Sequence, residues 1–282
     1  MMYERVEGIL RENEKLLRRC VSLERAKALV PTLITDLNSD RVEILKRTQS
    51  YTICKLRNVA NSVYLIRSYL SEEEITQLSS EILTDLIDSP PHANNLNEKN
   101  QRAESGMWEE YLNSDIARKR LKKLRWSCVG YHYNWGARTY DKSNKSYFPS
   151  SFSDIYNRTL RIIRDLSTTS DLLEGNPQSA IINFYHAHRV SDRLGGHRDD
   201  VESTDQTPLV SISLGLPGLF LIDSEAILLN SGDAVVMIGE ARQSLHAVPC
   251  ILGNARREHQ QATQFSRFLC NTRISISIRQ VY

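Results

Sequence analysis

Apolar residues recur at helical spacing through the first part of the chain. From residue 1 to about 46, Ile9, Leu16, Leu17 and Leu23 stand among charges and predict helix, interrupted at Pro31. Around "YTICKLRNVANSVYLIRSYL" the pattern moves toward β-branched and aromatic residues. "SEEEITQLSSEILTDLID" then opens with a capping box, Ser71 to Glu74, and repeats apolar positions at Ile75, Leu78, Ile82, Leu83 and Leu86. Two prolines in "SPPHANNLNEKN" end that helix in a polar loop. A further helix is predicted over 106–124. An aromatic- and turn-rich stretch follows over 125–151, and another helix over 152–174 with Ile155, Leu160, Ile163 and Leu166 on its apolar face.

After residue 178 the period changes. "SAIINFYH", "TPLVSISLGL", "GLFLID", "GDAVVMIGE" and "TRISISIRQVY" are short β-like runs separated by Gly, Pro, Asn and Asp. Such spacing predicts a double-sheeted β core, of which a jelly roll is one solution. The expected class is α+β, a double-stranded β-helix (jelly roll) with N-terminal helices packed on it. Three regions are expected: 1–57 as an N-terminal helical extension, 58–124 as a helical region with loop 88–105 as a substrate lid, and 125–282 as the β core.

Composition narrows the class. With 282 residues, 40% hydrophobic and 25% charged, the chain reads as soluble and globular, and no apolar run approaches a membrane span. The acid-rich start "MMYERVEGILRENEKLLRRC" lacks the apolar stretch of a secretory signal. Five scattered cysteines without a C-x-x-C fit reduced thiols, so an intracellular protein of nucleus, cytoplasm or mitochondrion is expected. Net charge is only +2, yet "ARKRLKKLR" gathers Lys119, Arg120, Lys122 and Lys123 with two further arginines and no acid. Such a run is ordinarily a solvated helix face; phosphate contact is its functional alternative.

The candidate chemistry starts at "LGGHRDDVE". On a strand, residues i and i+2 share a face, so His197 and Asp199 could hold one metal ion; on a loop they would be a solvated polar pair. A third ligand is available in His246, after the strand "GDAVVMIGE". Two imidazoles and one carboxylate make the facial triad of non-haem Fe(II) oxygenases, whereas structural zinc sites are closed and richer in cysteine. The last strand alternates strictly: Ile274, Ile276 and Ile278 on one face, Arg273, Ser275, Ser277 and Arg279 on the other. Two inward arginines require anions. They could take the two ends of a small diacid, or one could orient a metal-bound carboxylate. His186 and His188 form a rival His-x-His pair of the kind that begins cupin sites.

Together, His-x-Asp, a distal His after a "GD" strand and Arg-x5-Arg near the end resemble the AlkB family of Fe(II)- and 2-oxoglutarate-dependent dioxygenases. "LRWSCVGYHYNWGARTY", "GDAVVMIGEARQSLHAVP" and "RISISIRQVY" resemble the branch of the first human AlkB homologue. The likeness covers roughly residues 58–282. It implies Fe(II) at His197, Asp199 and His246, and 2-oxoglutarate at Asn183, Tyr185, Arg273 and Arg279, with O2 as the oxidant. It further implies oxidative demethylation of a nucleobase, in tRNA (N1-methyladenosine or modified cytidine) or as N6-methyladenine in DNA, by a monomer that binds unpaired nucleic acid. Trp126, Tyr131, Tyr133 and Trp135 are then candidates for stacking on the base. Two departures stand out: a longer spacing from Asn183 to His197, and Ser275 where the family often has Asn. Alternatives are a dioxygenase of protein side chains and a non-catalytic binding module.

Overall fold

A computed structural model describes all residues except 1, 19, 21, 60–61, 90, 97–105, 167–173, 190–191, 203–206 and 254–262. In chain order the elements are α1 (Met2–Leu17), α2 (Leu23–Leu29), β1 (Val42–Arg47), β2 (Thr52–Leu56), β3 (Val63–Arg67), α3 (Glu72–Glu81), β4 (Ala93–Asn94), α4 (Met107–Asn113) and α5 (Asp115–Leu121). Then come β5 (Trp126–Asn134), β6 (Thr139–Lys145), α6 (Ser150–Arg164), β7 (Ser179–His186), β8 (Leu194–His197), β9 (Leu209–Gly215) and β10 (Gly218–Ile222). The chain closes with β11 (Glu225–Leu229), β12 (Ala234–Met237), β13 (His246–Ile251), α7 (Gln264–Leu269) and β14 (Thr272–Arg279).

Two antiparallel sheets face each other. The larger runs β1-β2-β3-β12-β9-β14-β7-β5-β4, with β6 hairpinned onto β5; the smaller runs β11-β10-β13-β8. Strand alternation builds three apolar layers from these sheets. In β10, Leu219 and Leu221 face α1 and α2, while Phe220 and Ile222 enter the core between the sheets. In β14, Ile274, Ile276 and Ile278 are wholly buried beneath α3, α6 and α7, and the polar face turns to the inter-sheet space. The order from outside to outside is therefore helices, large sheet, small sheet, and the α1–α2 pair. This is the α+β double-sheeted architecture that the strand runs foretold.

Several elements differ from the periodicity reading. The capping box at Ser71 and Glu74 forms as expected, and α3 runs on into a π turn over Ile82–Leu86. Helix in the N-terminal stretch ends at Leu29; residues 42–47 form β1, which pairs with β2 and thus joins the large sheet. The 106–124 helix is two short ones, because Ser114 leaves helical geometry and caps α5 through the Ala117 N–H. Helix α6 stops at Arg164, and the rest of the expected stretch falls largely outside the described residues. Residues 97–105 of the lid loop also lie outside them. The described part is tied down: Ala93 and Asn94 pair with β5, and Asn95 Oδ1 accepts the Arg125 and Trp126 N–H groups. All five cysteines are free thiols. Among the described residues, no helix is long and apolar enough to cross a membrane.

Candidate metal centre

Strand pairing brings the histidines together. His197 ends β8 and His246 begins β13, directly opposite one another in the antiparallel register. Their rings lie 4.2 Å apart between centroids. Each donates its Nδ1–H to the carbonyl two residues earlier: His197 to Gly195 at 2.9 Å and His246 to Ser244 at 3.0 Å. Both rings therefore present Nε2 as the free lone pair, the tautomer a metal ligand requires. Asp199 lies two residues beyond the end of β8 rather than on the strand, its Oδ2 3.6 Å from His246 Nε2. Ligand atoms of the three all lie within 4.8 Å of one another, and no other such group occurs among the described residues. Burial and then His246 push the His197 imidazole down to about 4, so it is neutral at physiological pH. Burial alone would raise the Asp199 carboxyl, but Arg279 and the two imidazoles outweigh it and hold it well below the usual range.

These residues line a cavity of ≈ 580 Å3 between the sheets. Its floor is the polar face of β14, with Arg273, Ser275, Ser277 and Arg279 all reaching it. Asn183 and Tyr185 line it too, across the β7–β14 ladder from Ser275 and Arg273 respectively. The two arginines have different company. Arg279 Nη1 donates to Asp199 Oδ1 at 2.9 Å and Glu202 Oε1 at 2.8 Å. Arg273 is 1% exposed and has no carboxylate within ion-pair distance among the described residues. It donates only to the Ser213 hydroxyl at 2.8 Å and the Leu216 carbonyl at 3.3 Å, and its Nε is left unpaired. Burial pushes this guanidinium down to about 10, with Tyr185 and Asp233 opposing. A buried cation of this kind lacks an anion. Gly218 makes room for it: a Cβ there would stand 2.8 Å from Arg273 Cδ and Nε.

The donor set fits Fe(II), with two imidazoles and one carboxylate and no cysteine. Arg273 fits a carboxylate of an anionic co-substrate. The rival pair does not gather ligands: His186 is buried, its Nε2–H donating to the Leu124 carbonyl at 2.9 Å and its Nδ1 accepting from Thr272 at 3.1 Å. His188 is exposed beside it.

Aromatic candidates divide by position. Tyr133 and Trp135 line the cavity, and Trp135 is 47% exposed at its mouth. Trp126 touches the Trp135 ring at 5.5 Å. Tyr131 stands elsewhere, against Tyr282 and Lys145, because β5 is irregular between Tyr131 and Tyr133 and Gly130 adopts φ +74. Of the basic run, Lys119, Lys122 and Lys123 are exposed, while Arg120 lies 3.9 Å from Glu110.

Several site residues escape sequence reasoning. Glu202, Arg242 and Tyr140 surround Arg279 and Asp199, and Ser213 and Gly218 surround Arg273. Their signal, charges and glycines within apolar runs, does not say which distant residue they meet.

Residues 62–279 match the family model described as the 2OG-Fe(II) oxygenase superfamily. The chain is 28% identical over 249 residues to the tRNA demethylase abh1 of Schizosaccharomyces pombe, covering 79% of this chain and 80% of that one. It is 34% identical over 180 residues to the DNA N(6)-methyladenine demethylase ALKBH1A of Arabidopsis thaliana (57% and 50% covered). Identity to the human nucleic acid dioxygenase ALKBH1 is 31% over 189 residues (61% and 46% covered). The chain thus spans half or less of the length of these plant and human relatives. The solved structure of OsALKBH1 superposes with a TM-score of 0.53 at 19% identity, covering 79% of this chain and 99% of that one, and so shares the fold.

Proposed function

Because the chain belongs to the 2OG-Fe(II) oxygenase superfamily, we propose that it is a nucleic-acid dioxygenase that oxidatively demethylates a nucleobase in tRNA or another unpaired strand. One observation carries the reading. The His197–Asp199–His246 group and the anion-poor Arg273 share one cavity, whose mouth holds Tyr133 and Trp135. The activities for which the fission-yeast, plant and human relatives are named, all on nucleic acids, support the substrate class.

His197, Asp199 and His246 would hold Fe(II), and Arg273 a carboxylate of 2-oxoglutarate, with Asn183 and Tyr185 beside it. Bound together, these cofactors supply O2 activation and hydroxylation of a methyl carbon, whose hydroxymethyl product releases formaldehyde. The chain's own work is positioning. The Gly195 and Ser244 carbonyls fix the imidazole tautomers, and Arg279 orients the Asp199 carboxylate. Burial pushes the Tyr185 hydroxyl up to about 12, so it stays a neutral hydrogen-bond donor. Tyr133 and Trp135 offer ring faces to an unstacked base, and Lys119, Lys122 and Lys123 offer exposed charge to phosphates.

The test is incubation of iron-loaded protein, 2-oxoglutarate and O2 with methylated tRNA stem-loops and methylated single- and double-stranded DNA, reading succinate and base products by mass spectrometry. Demethylation of an unpaired substrate, lost in Asp199→Ala, is the expected result. Succinate without any base product would transfer the chemistry to another substrate class, protein side chains first. No succinate and no iron binding would overturn the reading.

A further inference from the structure

We propose that Glu202, clamped by Arg242, is a positioning residue that keeps one oxygen of Asp199 available to the metal and so sets the affinity of the centre. The proposal rests on the reading of His197, Asp199 and His246 as the metal group.

Glu202 lies three residues after Asp199 and is 8% exposed. Its Oε1 accepts from Arg279 Nη1 at 2.8 Å, and the Tyr140 hydroxyl stands 3.4 Å from the same oxygen. Its Oε2 accepts from Arg242 Nη2 at 3.0 Å. The Arg279 nitrogen that meets Glu202 is the one that donates to Asp199 Oδ1 at 2.9 Å. One nitrogen, with two N–H bonds, is thereby divided between two carboxylates. Arg279 cannot close on Asp199 in the two-pronged geometry that arginine and carboxylate favour. Asp199 Oδ2, the oxygen 3.6 Å from His246 Nε2, stays clear of it.

Arg242 fixes this division. It is wholly buried, and its guanidinium also donates to the Thr207 carbonyl at 2.6 Å and approaches the Asp199 carbonyl at 3.5 Å. The Asp199 and Thr207 carbonyls and the Glu202 carboxylate thus converge on one side chain. Arg242 sits in the 3-10 turn Gly239–Gln243, just before His246, so the element that delivers the third ligand also anchors the clamp. The four groups are two guanidinium ions and two carboxylates, balanced and nearly dry. Neutralising Glu202 leaves two buried cations for one carboxylate, and Arg279 then turns fully onto Asp199.

The experiment is calorimetric titration of the metal-free protein with Mn2+, alongside its melting temperature. Wild type is expected to bind one Mn2+ and Asp199→Ala none. Glu202→Gln is expected to bind about tenfold to a hundredfold more weakly, the usual cost of losing a partner behind a ligand, and Glu202→Asp, which keeps the charge, to recover part of that loss. A folded Glu202→Gln protein with wild-type Mn2+ affinity would overturn the proposal and leave the metal centre standing. Absence of Mn2+ binding by wild type would instead remove the metal reading beneath it. Should Glu202→Gln yield no folded protein, Tyr140→Phe removes only the hydroxyl beside Glu202 Oε1. A loss of about threefold in Mn2+ affinity is expected there, and an unchanged value overturns the proposal.

Discussion

Arg279 and Asp199 lie 80 residues apart in the chain and 2.9 Å apart in the fold, joined by a hydrogen bond from Nη1 to Oδ1. The two arginines of the last strand therefore do different things, although the alternation of β14 makes them look equivalent. Among the described residues, Arg279 is matched by carboxylates and Arg273 is not.

Arg273→Met is expected to raise the half-saturating 2-oxoglutarate concentration by about tenfold to a hundredfold, the worth of a charge-assisted hydrogen bond. The same change removes a buried cation that meets no carboxylate among the described residues, so the melting temperature of ligand-free protein should hold or rise. Arg273→Lys should not restore co-substrate affinity, because a point charge loses the planar fork. Steady-state kinetics and a melting curve check all three. A large drop in ligand-free stability would show that the arginine is a structural element instead.

Gly218→Ala drives a methyl group into Arg273, 2.8 Å from its Cδ and Nε. Destabilisation of about 1–3 kcal/mol is expected, as for other overpacked positions, together with weaker 2-oxoglutarate binding. Urea denaturation and a co-substrate titration measure the two effects separately.

His186 gives the fold an acid sensitivity. Burial pushes its imidazole down to about 4 from an ordinary value of 6.5. Between those values the unfolded chain takes up a proton that the folded chain refuses, so stability falls as pH drops from 6.5 toward 4, by up to about 1.4 kcal/mol per pH unit. In urea melts, His186→Gln should lose about 2 kcal/mol less than wild type between pH 7.5 and 5. Equal losses in the two proteins would exclude His186 as the source.

Replacing Lys119, Lys122 and Lys123 by alanine should leave the melting temperature within a degree or two while weakening single-stranded RNA binding. If all three reach phosphates, the slope of log affinity against log salt should shrink by about 2, at roughly 0.7 per contact. Fluorescence anisotropy between 50 and 200 mM KCl, a range over which phosphate contacts reveal themselves, reads the slope. An unchanged slope would place the strand's path elsewhere.

Much of the site could be read in one dimension because its parts repeat with the strand period. The faces of β14 are fixed by alternation, and the fold buries its isoleucines and turns its arginines and serines to the cavity. His197 and Asp199 drew notice by their spacing, and gained their weight from the distal His246 and the two arginines of the last strand. What stayed hidden depends on distant pairing. Residues 42–47, "VEILKR", carry helix-forming Glu, Leu and Lys, and become β1 through hydrogen bonding to β2. "LGGH" has two glycines and little strand character, yet it is β8. Tyr131 left the cavity because of a backbone irregularity that periodicity does not carry. Glu202 and Arg242 are 40 residues apart and mark themselves only where they meet.

Strand β8 has a further consequence. It is four residues long, forms the rim of the small sheet, and has β13 as its single strand neighbour. Leu10 and Glu14 of α1 stand over its glycines, and Arg198 reaches Glu7 of the same helix and the Gln243 carbonyl at 2.9 Å. The proposed iron would sit across the last rung of that rim, bolting His197 to His246. It would be a fastener as well as a reagent, tying the outermost strand of the small sheet to its neighbour.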